Sequence, residues 1–514
     1  MFLISLKIFE CALKEVFPTA HVLESEVTVE GFYCQALIPP FPEEEALRLL
    51  EEKVKEIVKS DFPIKTMEMM RENGVNYLKH HKQPQFADKV SEWPENTIWI
   101  AEFQRYSFPL FNATIETSTG AGGAIKILHL EKQADRVEFR VVVRENAQDL
   151  KRWVKQWKGG IDPSLIGQEM ELFTFVNKIP LWKSKGIFLR DAIQKVFNDI
   201  LDNSPYQAVL SLDSSPQILQ NYYLSAPSLK SSHLREWVLS ERGEAACFGL
   251  LDTTPFMRLG LQGFLTTQQV ESELISSLQF FDKIFKIFGF EGQWNLAVDR
   301  AAHAKASRTD WERAVKWLAG ALEARGVSFS KDARHPQTWI TALEGPALEA
   351  YVVDRLDRKW LVASLGIDLS FSAGHPNHHS RSTLLKGAVA ESLERIIALL
   401  LECKQGVLPW EWTPEQIRVV SVGQQYGDYV AEVHAKCVQA GFRATLDCTE
   451  NKLGAKVHAA QLERIPYVVI VGDREFKNGQ ITVRSYEPQE NVAPDGTSFR
   501  LDDFLSLVGN VSCR

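Results

Sequence analysis

The chain has 514 residues, 45% of them hydrophobic and 24% charged, an ordinary globular balance with length for about three domains. A formal net charge of −8 excludes a protein that coats nucleic acid indiscriminately, since counterion release rewards dense Lys and Arg, but it leaves room for a local basic face that reads one structured RNA. Seven cysteines, an odd number with no CxxC pair, write neither a disulfide framework nor a thiolate zinc cage and fit a reducing cytoplasm.

At the start of the chain, Met1 to Ile8 is apolar, but Lys7 and Glu10 interrupt it before a secretory core completes, and no run reaches the ~18 apolar residues of a membrane span. No targeting or anchoring segment is expected. Residues 42–60, "PEEEALRLLEEKVKEIVKS", open with Pro42 and an acidic turn and repeat Leu47, Leu50, Val54 and Ile57 at helical spacing. "STGAGGAIKI" at 118–127 and "EFRVVV" at 138–143 read as turn and strands, so the first ~160 residues look α+β. "KGGIDP" at 158–163 breaks any continuing helix and marks a domain joint.

In the middle third, 270–290 and 382–402 carry broad apolar faces and read as helices packed on a sheet. Between them, 348–371 reads as two antiparallel strands around a turn at Asp357-Arg358. "KQGVLPWEWTPEQ" at 404–416 hands over to a regular tail: strand "IRVVSV", helix 426–440, strand "FRATLD", helix 452–464, strand "YVVIVG", a turn at Asn478-Gly479 with a final hairpin, and a last helix. Such alternation predicts a parallel or mixed sheet covered on both faces.

Chemistry-bearing motifs are sparse. "STGAGGAIK" lacks the GxxxxGK[ST] spacing that curls amides around phosphate and is read as a turn. His375, His378 and His379 in "GHPNHHS" have no Cys, Asp or Glu immediately beside them and read as a polar loop rather than a metal site. GxSxG, HExxH and a dinucleotide-binding glycine fingerprint are all missing.

The tail segment "NKLGAKVHAAQLERIPYVVIVGDREFKNGQITVRS" resembles the anticodon-binding domain of threonyl-tRNA synthetases and their class II relatives, in a "KLGxKxxxAQxxxIPYxxxVGDxE" pattern over twenty positions long. The similarity extends outward over nearly the whole chain. "GIFLRDAIQKVFNDIL" (186–201) resembles the motif 1 helix used for dimer contact, "RGEAACFGLL" (242–251) lies where motif 2 belongs, and "LLKGAVAESLERIIALLLE" is similar to motif 3. The resemblance implies an α+β multidomain fold. It divides into a degenerate editing-like domain at 1–160, a class II catalytic-like domain with an antiparallel sheet and helices at 161–408, and an α/β anticodon-binding domain at 409–514. No counterpart of the family's still earlier small domain is expected here.

Carried over position by position, most of the family's chemistry is substituted. The motif 2 Arg and Glu positions read Ser240 and Arg242, and serine cannot replace the guanidinium fork that neutralises charge during adenylate formation. The two zinc-histidine positions fall at Gln262 and Lys386, with no Cys between 34 and 247, so no metal site is expected. The strand presenting Lys and Asp to substrates reads "EGPALE", with Ala347 and Glu349, and Gly366 replaces a glutamine. Arg395 in "ESLER" remains as a nucleotide-contact remnant, with Glu391 in place of a glycine, and is expected as a structural ion pair with Glu391. The editing HxxxH falls on Lys7 and Cys11, and CxxxH near Phe103 and Ser107; Cys11, without a His partner, reads as a small buried apolar residue.

In the tail, the resemblance implies that Glu475 and Arg484 point at anticodon bases with Arg464 nearby, and that Lys452 and Lys456 sit beside phosphates. Glu450 replaces the family's Asn ahead of the "KLG" turn. The expectation is a synthetase-like protein with no catalytic residues, no cofactor and no metal. It binds tRNA or tRNA-like RNA, forms a homodimer or pairs with a synthetase subunit, has no membrane partner and resides in the cytoplasm. The alternatives are an active threonine-tRNA ligase with a rearranged, zinc-free site, which would use ATP and Mg, or an enzyme reusing the pocket for another acyl adenylate.

Overall fold

The computed structural model describes residues 1–27, 31–39, 43–111, 115–133, 136–159, 162–177, 179–209, 233–240, 249–298, 307–332, 345–369, 382–487, 492 and 496–511. Two compact units form, Met1–Gly160 and Ile161–Arg514. Gly160 and Ile161 at the expected joint, Arg242 and the three histidines of "GHPNHHS" lie outside the described residues. No described helix is long and apolar enough to cross a membrane.

The first unit contains an antiparallel sheet in the order His21–Val27, Gly31–Leu37, Arg136–Arg144, Ala124–Gln133. Helices Phe2–Val16 and Glu43–Ser60 share its core through Ile4, Ile8, Phe9, Leu50, Val54 and Ile57. A smaller sheet, Lys65–Met70, Thr97–Phe103 and Tyr106–Leu110, carries helices Arg71–His80 and Pro84–Ser91.

The second unit is built on an eight-stranded sheet whose centre runs His233–Ser240, Phe256–Thr266, Ser382–Ala390, Lys359–Asp368, Ala347–Val353, Gly292–Ala297, each pairing antiparallel. The two strands predicted around Asp357-Arg358 form as expected, with Asp357 at φ +59°. The helix expected over 270–290 is Val270–Phe288, closed by Gly289 at φ +72°, where a side chain would be strained.

The expectation for 382–402 needs correcting: Ser382–Ala390 is a central strand, and only Leu393–Cys403 is helical. A strand buried on both faces reads as a continuous apolar run, which periodicity cannot separate from a buried helix. Gly387 permits the close strand approach, since a Cβ there would lie 2.4 Å from the Ser364 carbonyl oxygen. Ser392 then starts the helix, its hydroxyl accepting from the Arg395 amide at 3.2 Å.

The tail forms a five-stranded mixed sheet, Ala444–Asp447, Ile417–Ser421, Tyr467–Val471, Ile481–Ser485, Thr497–Phe499, with the first three parallel. Val430, Val433, Phe504 and Val508 pack on one face, and Val457 and Ala460 on the other, so both faces are covered as predicted. One detail differs: a short helix, Asp473–Asn478, intervenes before Gly479 at φ +64°, where only a turn was expected.

Charges clamp the tail to the eight-stranded body. Arg418 donates to Glu415 at 2.7 and 2.8 Å and to Glu463 at 2.8 and 2.7 Å, while Lys185, on helix Ser184–Asp202, donates to both carboxylates. Burial pushes Glu415 and Glu463 upward, but the hydrogen bonds and charges of Arg418 and Lys185 outweigh it and hold both below the usual carboxyl range. Depressed carboxyls contribute stability that is complete above their unfolded value of 4.5 and lost as pH falls through the lower folded values. Melting temperature is therefore expected to drop on acidification below about pH 5. In Arg418→Gln that acid dependence should flatten; an unchanged profile would show that Arg418 is not what holds the two carboxyls down.

Candidate functional site

Of the residues assigned to RNA, Lys452, Lys456 and Glu475 lie at one end of the tail sheet. Lys452 is exposed at the N-cap of helix Leu453–Leu462 with extended dihedrals, φ −60° and ψ 145°. Lys456, expected beside it, turns inward: it is 3% exposed and donates to the carbonyls of Ser421 at 2.9 Å and Asp447 at 3.3 Å. Lys456 is four residues from Ala460 and shares its sheet-facing side, so its ammonium tethers two strand ends instead of facing solvent. Arg464 also differs from expectation. Its guanidinium donates to Glu169 at 3.0 Å and to the Gln405 carbonyl at 2.9 Å, which places it at the joint with the body.

Glu475 caps helix Asp473–Asn478, accepting from the Gly472 amide at 3.0 Å, and accepts from the Thr482 hydroxyl at 2.8 Å. A carboxylate has about four acceptor sites, so these two bonds orient it without saturating it. Arg484 lies on the neighbouring strand Ile481–Ser485, half-buried, and its Nε is shielded from solvent without a hydrogen-bond partner among the described residues. Beside Glu475, sequence reading missed Phe476. It is 51% exposed and its ring meets Tyr426 at 5.8 Å and Tyr429 at 5.7 Å, which presents an aromatic surface one residue along from Glu475. A bulky aromatic inside the polar run "DREFKN" was the available signal. Glu450 accepts from Gln424 at 2.9 Å at the same end of the domain.

In the body, the central strands gather the positions where the resemblance placed substrate chemistry. Gln262, Lys386 and Gly366 sit side by side in register on three adjacent strands. Lys386 is 8% exposed and donates to Asp368, itself 2% exposed, at 2.5 Å, so a buried ion pair fills the second zinc-histidine position. Among the described residues no cluster of three His, Cys, Asp or Glu could hold a metal ion. Glu349, fully buried, accepts from Asn295 at 3.0 Å and from Tyr351 at 2.6 Å.

Glu391 is also fully buried; it accepts from the Ser364 hydroxyl and lies 3.8 Å from Arg258. Burial pushes its carboxyl above the ordinary range against the pull of Arg258 and Ser364. Arg395, 3% exposed, donates to the carbonyls of Leu251 and Leu361, both at 2.8 Å, and reaches Asp252 at 3.5 Å. Arg395 thus reaches the Asp252 carboxylate, and Glu391 is not one helical turn from Arg395, because the helix begins only at Leu393. Ser240 ends strand His233–Ser240.

In the first unit, the positions matching the editing motif form a closed polar cluster. Lys7 donates to Glu10 at 2.9 and 3.0 Å, and Glu10, fully buried, also accepts from Ser25 at 2.5 Å and Tyr106 at 2.6 Å. Cys11 is 5% exposed, and burial followed by the Glu15 charge pushes its thiol up to about 12, so it is protonated at neutral pH and packs as an apolar residue. Ser107, fully buried, bonds to His81 at 3.2 Å.

A family model described as an anticodon binding domain matches residues 416–508. The threonine-tRNA ligase of Acetivibrio thermocellus is 24% identical over 564 aligned positions that cover 97% of this chain and 86% of that protein. That of Clostridium acetobutylicum is 23% identical, with the same two shares covered. Among solved structures, the RNA binding domain of threonyl-tRNA synthetase from Cryptosporidium parvum shares the fold with a TM-score of 0.56 at 18% identity, covering 68% of this chain and 98% of that one. Similarity to threonine-tRNA ligases thus runs through body and tail alike, and the tail is an anticodon-binding domain by its family model.

Proposed function

We propose that this protein binds tRNA or a tRNA-like RNA through its C-terminal domain and carries no aminoacylation or editing chemistry. The observation that carries the second half is the Lys386–Asp368 pair, which neutralises and fills the pocket where a metal and its substrate amine would sit. In this reading ATP, Mg and Zn have no place, and Arg395 supports the main chain of Leu251 and Leu361.

The RNA-reading end is assigned to Arg484, Glu475 and Phe476, with Lys452 on the phosphate side. Unpaired bases are held by stacking on aromatic rings and by hydrogen bonds to their edges, the two capacities these side chains combine. In a gel shift with bulk tRNA, Arg484→Ala and Phe476→Ala are each expected to weaken binding by about 1 to 3 kcal/mol, roughly 5- to 150-fold. Unchanged retention by both variants removes the anticodon assignment.

A homodimer belongs to the same proposal. Val176, Ile179, Leu181 and Ile187, at and beside the start of helix Ser184–Asp202, are each about half exposed and form an apolar surface at the expected dimer helix. Light scattering should give twice the chain mass, and Leu181→Asp should give the monomer. A monomer before substitution rejects this part. The unpaired cysteines, among them exposed Cys403 and Cys448, suit the cytoplasm as the compartment.

A further inference from the structure

The first unit holds a cleft of about 820 Å³, within the range of roughly 300 to 1,000 Å³ that small-molecule sites occupy. It opens between helix Phe2–Val16, the end of helix Arg71–His80, the start of helix Pro84–Ser91 and the Gln104-Arg105 turn. Lys14, Lys79, Lys82 and Arg105 line it against one carboxylate, Glu15. Glu15 is already paired with Lys53 at 2.9 Å. Lys79, Lys82 and Arg105 form no ion pair with any described residue, in a chain whose net charge is −8. Like charges held around a concave, low-dielectric wall focus a positive potential that only an incoming anion relieves.

The floor is prepared as well. Lys14 is half-buried and donates to the Gln83 side-chain oxygen at 2.6 Å; Gln83 is 3% exposed and accepts from Gln85 at 2.9 Å. That network fixes the ammonium beside the cleft wall instead of leaving it on a free stem. Desolvation holds the Lys14 amine below its ordinary range, a penalty that an anion beside it would offset.

We propose that this cleft binds a small phosphate monoester of mononucleotide size, with Lys14 at its base and Lys82 and Arg105 at its mouth, and does not hydrolyse it. Several cations lining one open cleft suit a dianion, and the planar Arg105 fork matches phosphate oxygens. A track for an RNA backbone would instead string its cations along a groove with stacking rings. Turnover is not expected because the cleft presents no competent nucleophile: the Cys11 thiol is protonated, and Ser107 is fully buried behind His81. The site is built from residues of the first unit alone and stands or falls independently of the RNA assignment.

The test is equilibrium binding of labelled AMP to the full chain, with inorganic phosphate, adenosine and a short RNA as competitors. AMP is expected to bind, phosphate to compete and adenosine to fail. Losing two charge-assisted contacts in Lys82→Ala/Arg105→Ala should weaken binding at least about twentyfold. Both side chains are exposed, so thermal melting should be unchanged, and Arg484→Ala in the tail should bind AMP like the parent. Equal competition by adenosine, unaltered affinity in the double variant, or RNA displacing AMP at far lower concentration would each overturn the proposal.

Discussion

Lys386→Ala is expected to destabilise the larger unit by about 3 to 5 kcal/mol, the cost of leaving a buried carboxylate without its counter-ion. Asp368 is 2% exposed and faces the ammonium at 2.5 Å from the adjacent central strand, with little water available to replace it. Removing both charges together, as Lys386→Met/Asp368→Leu, should recover most of the loss, since a well-packed apolar pair avoids the desolvation penalty. Urea unfolding of the three proteins measures it. A single variant costing under about 1 kcal/mol would mean that the pair is solvated and the pocket remains open.

The second large effect is catalytic. Purified protein supplied with ATP, Mg and threonine is expected to show amino-acid-dependent pyrophosphate exchange at least about a hundred- to a thousandfold below an active ligase, the cost of one missing preorganised cation. The buried Glu391 carboxyl, held 3.8 Å from Arg258, and Arg395, bonded to main-chain carbonyls, remove two more groups from any incoming triphosphate. Adding Zn should change nothing, because Gln262 and Lys386 stand at the histidine positions. Exchange approaching that of an active enzyme would refute the inert pocket and restore the ligase alternative.

The tail was legible in the sequence almost element by element, because strands Ile417–Ser421 and Tyr467–Val471 are short apolar runs bounded by Gly or Pro and strand and helix alternate up to Val471. Legibility failed where burial is complete on both faces. Residues 382–390 looked helical because a central strand offers no polar face to set the period. At the candidate RNA end, residue type was readable but direction was not. Lys452 and Lys456 are alike in sequence, yet one is exposed and the other holds two carbonyls. Arg464 carries the same charge as Arg484 but closes a joint with Glu169.

By itself, then, the sequence carried the resemblance to threonyl-tRNA synthetases, the α/β order of the tail and the presence of Gln262 and Lys386 where that resemblance would place histidines, since these depend on which residues occur and at what spacing. Only the tertiary structure decided what replaced that chemistry. The Lys386–Asp368 pair, the Arg395–Asp252 contact and the cationic cleft around Lys14 each join residues distant in the chain. Their energies depend on burial and on separations of a few ångströms, quantities that a one-dimensional pattern does not contain.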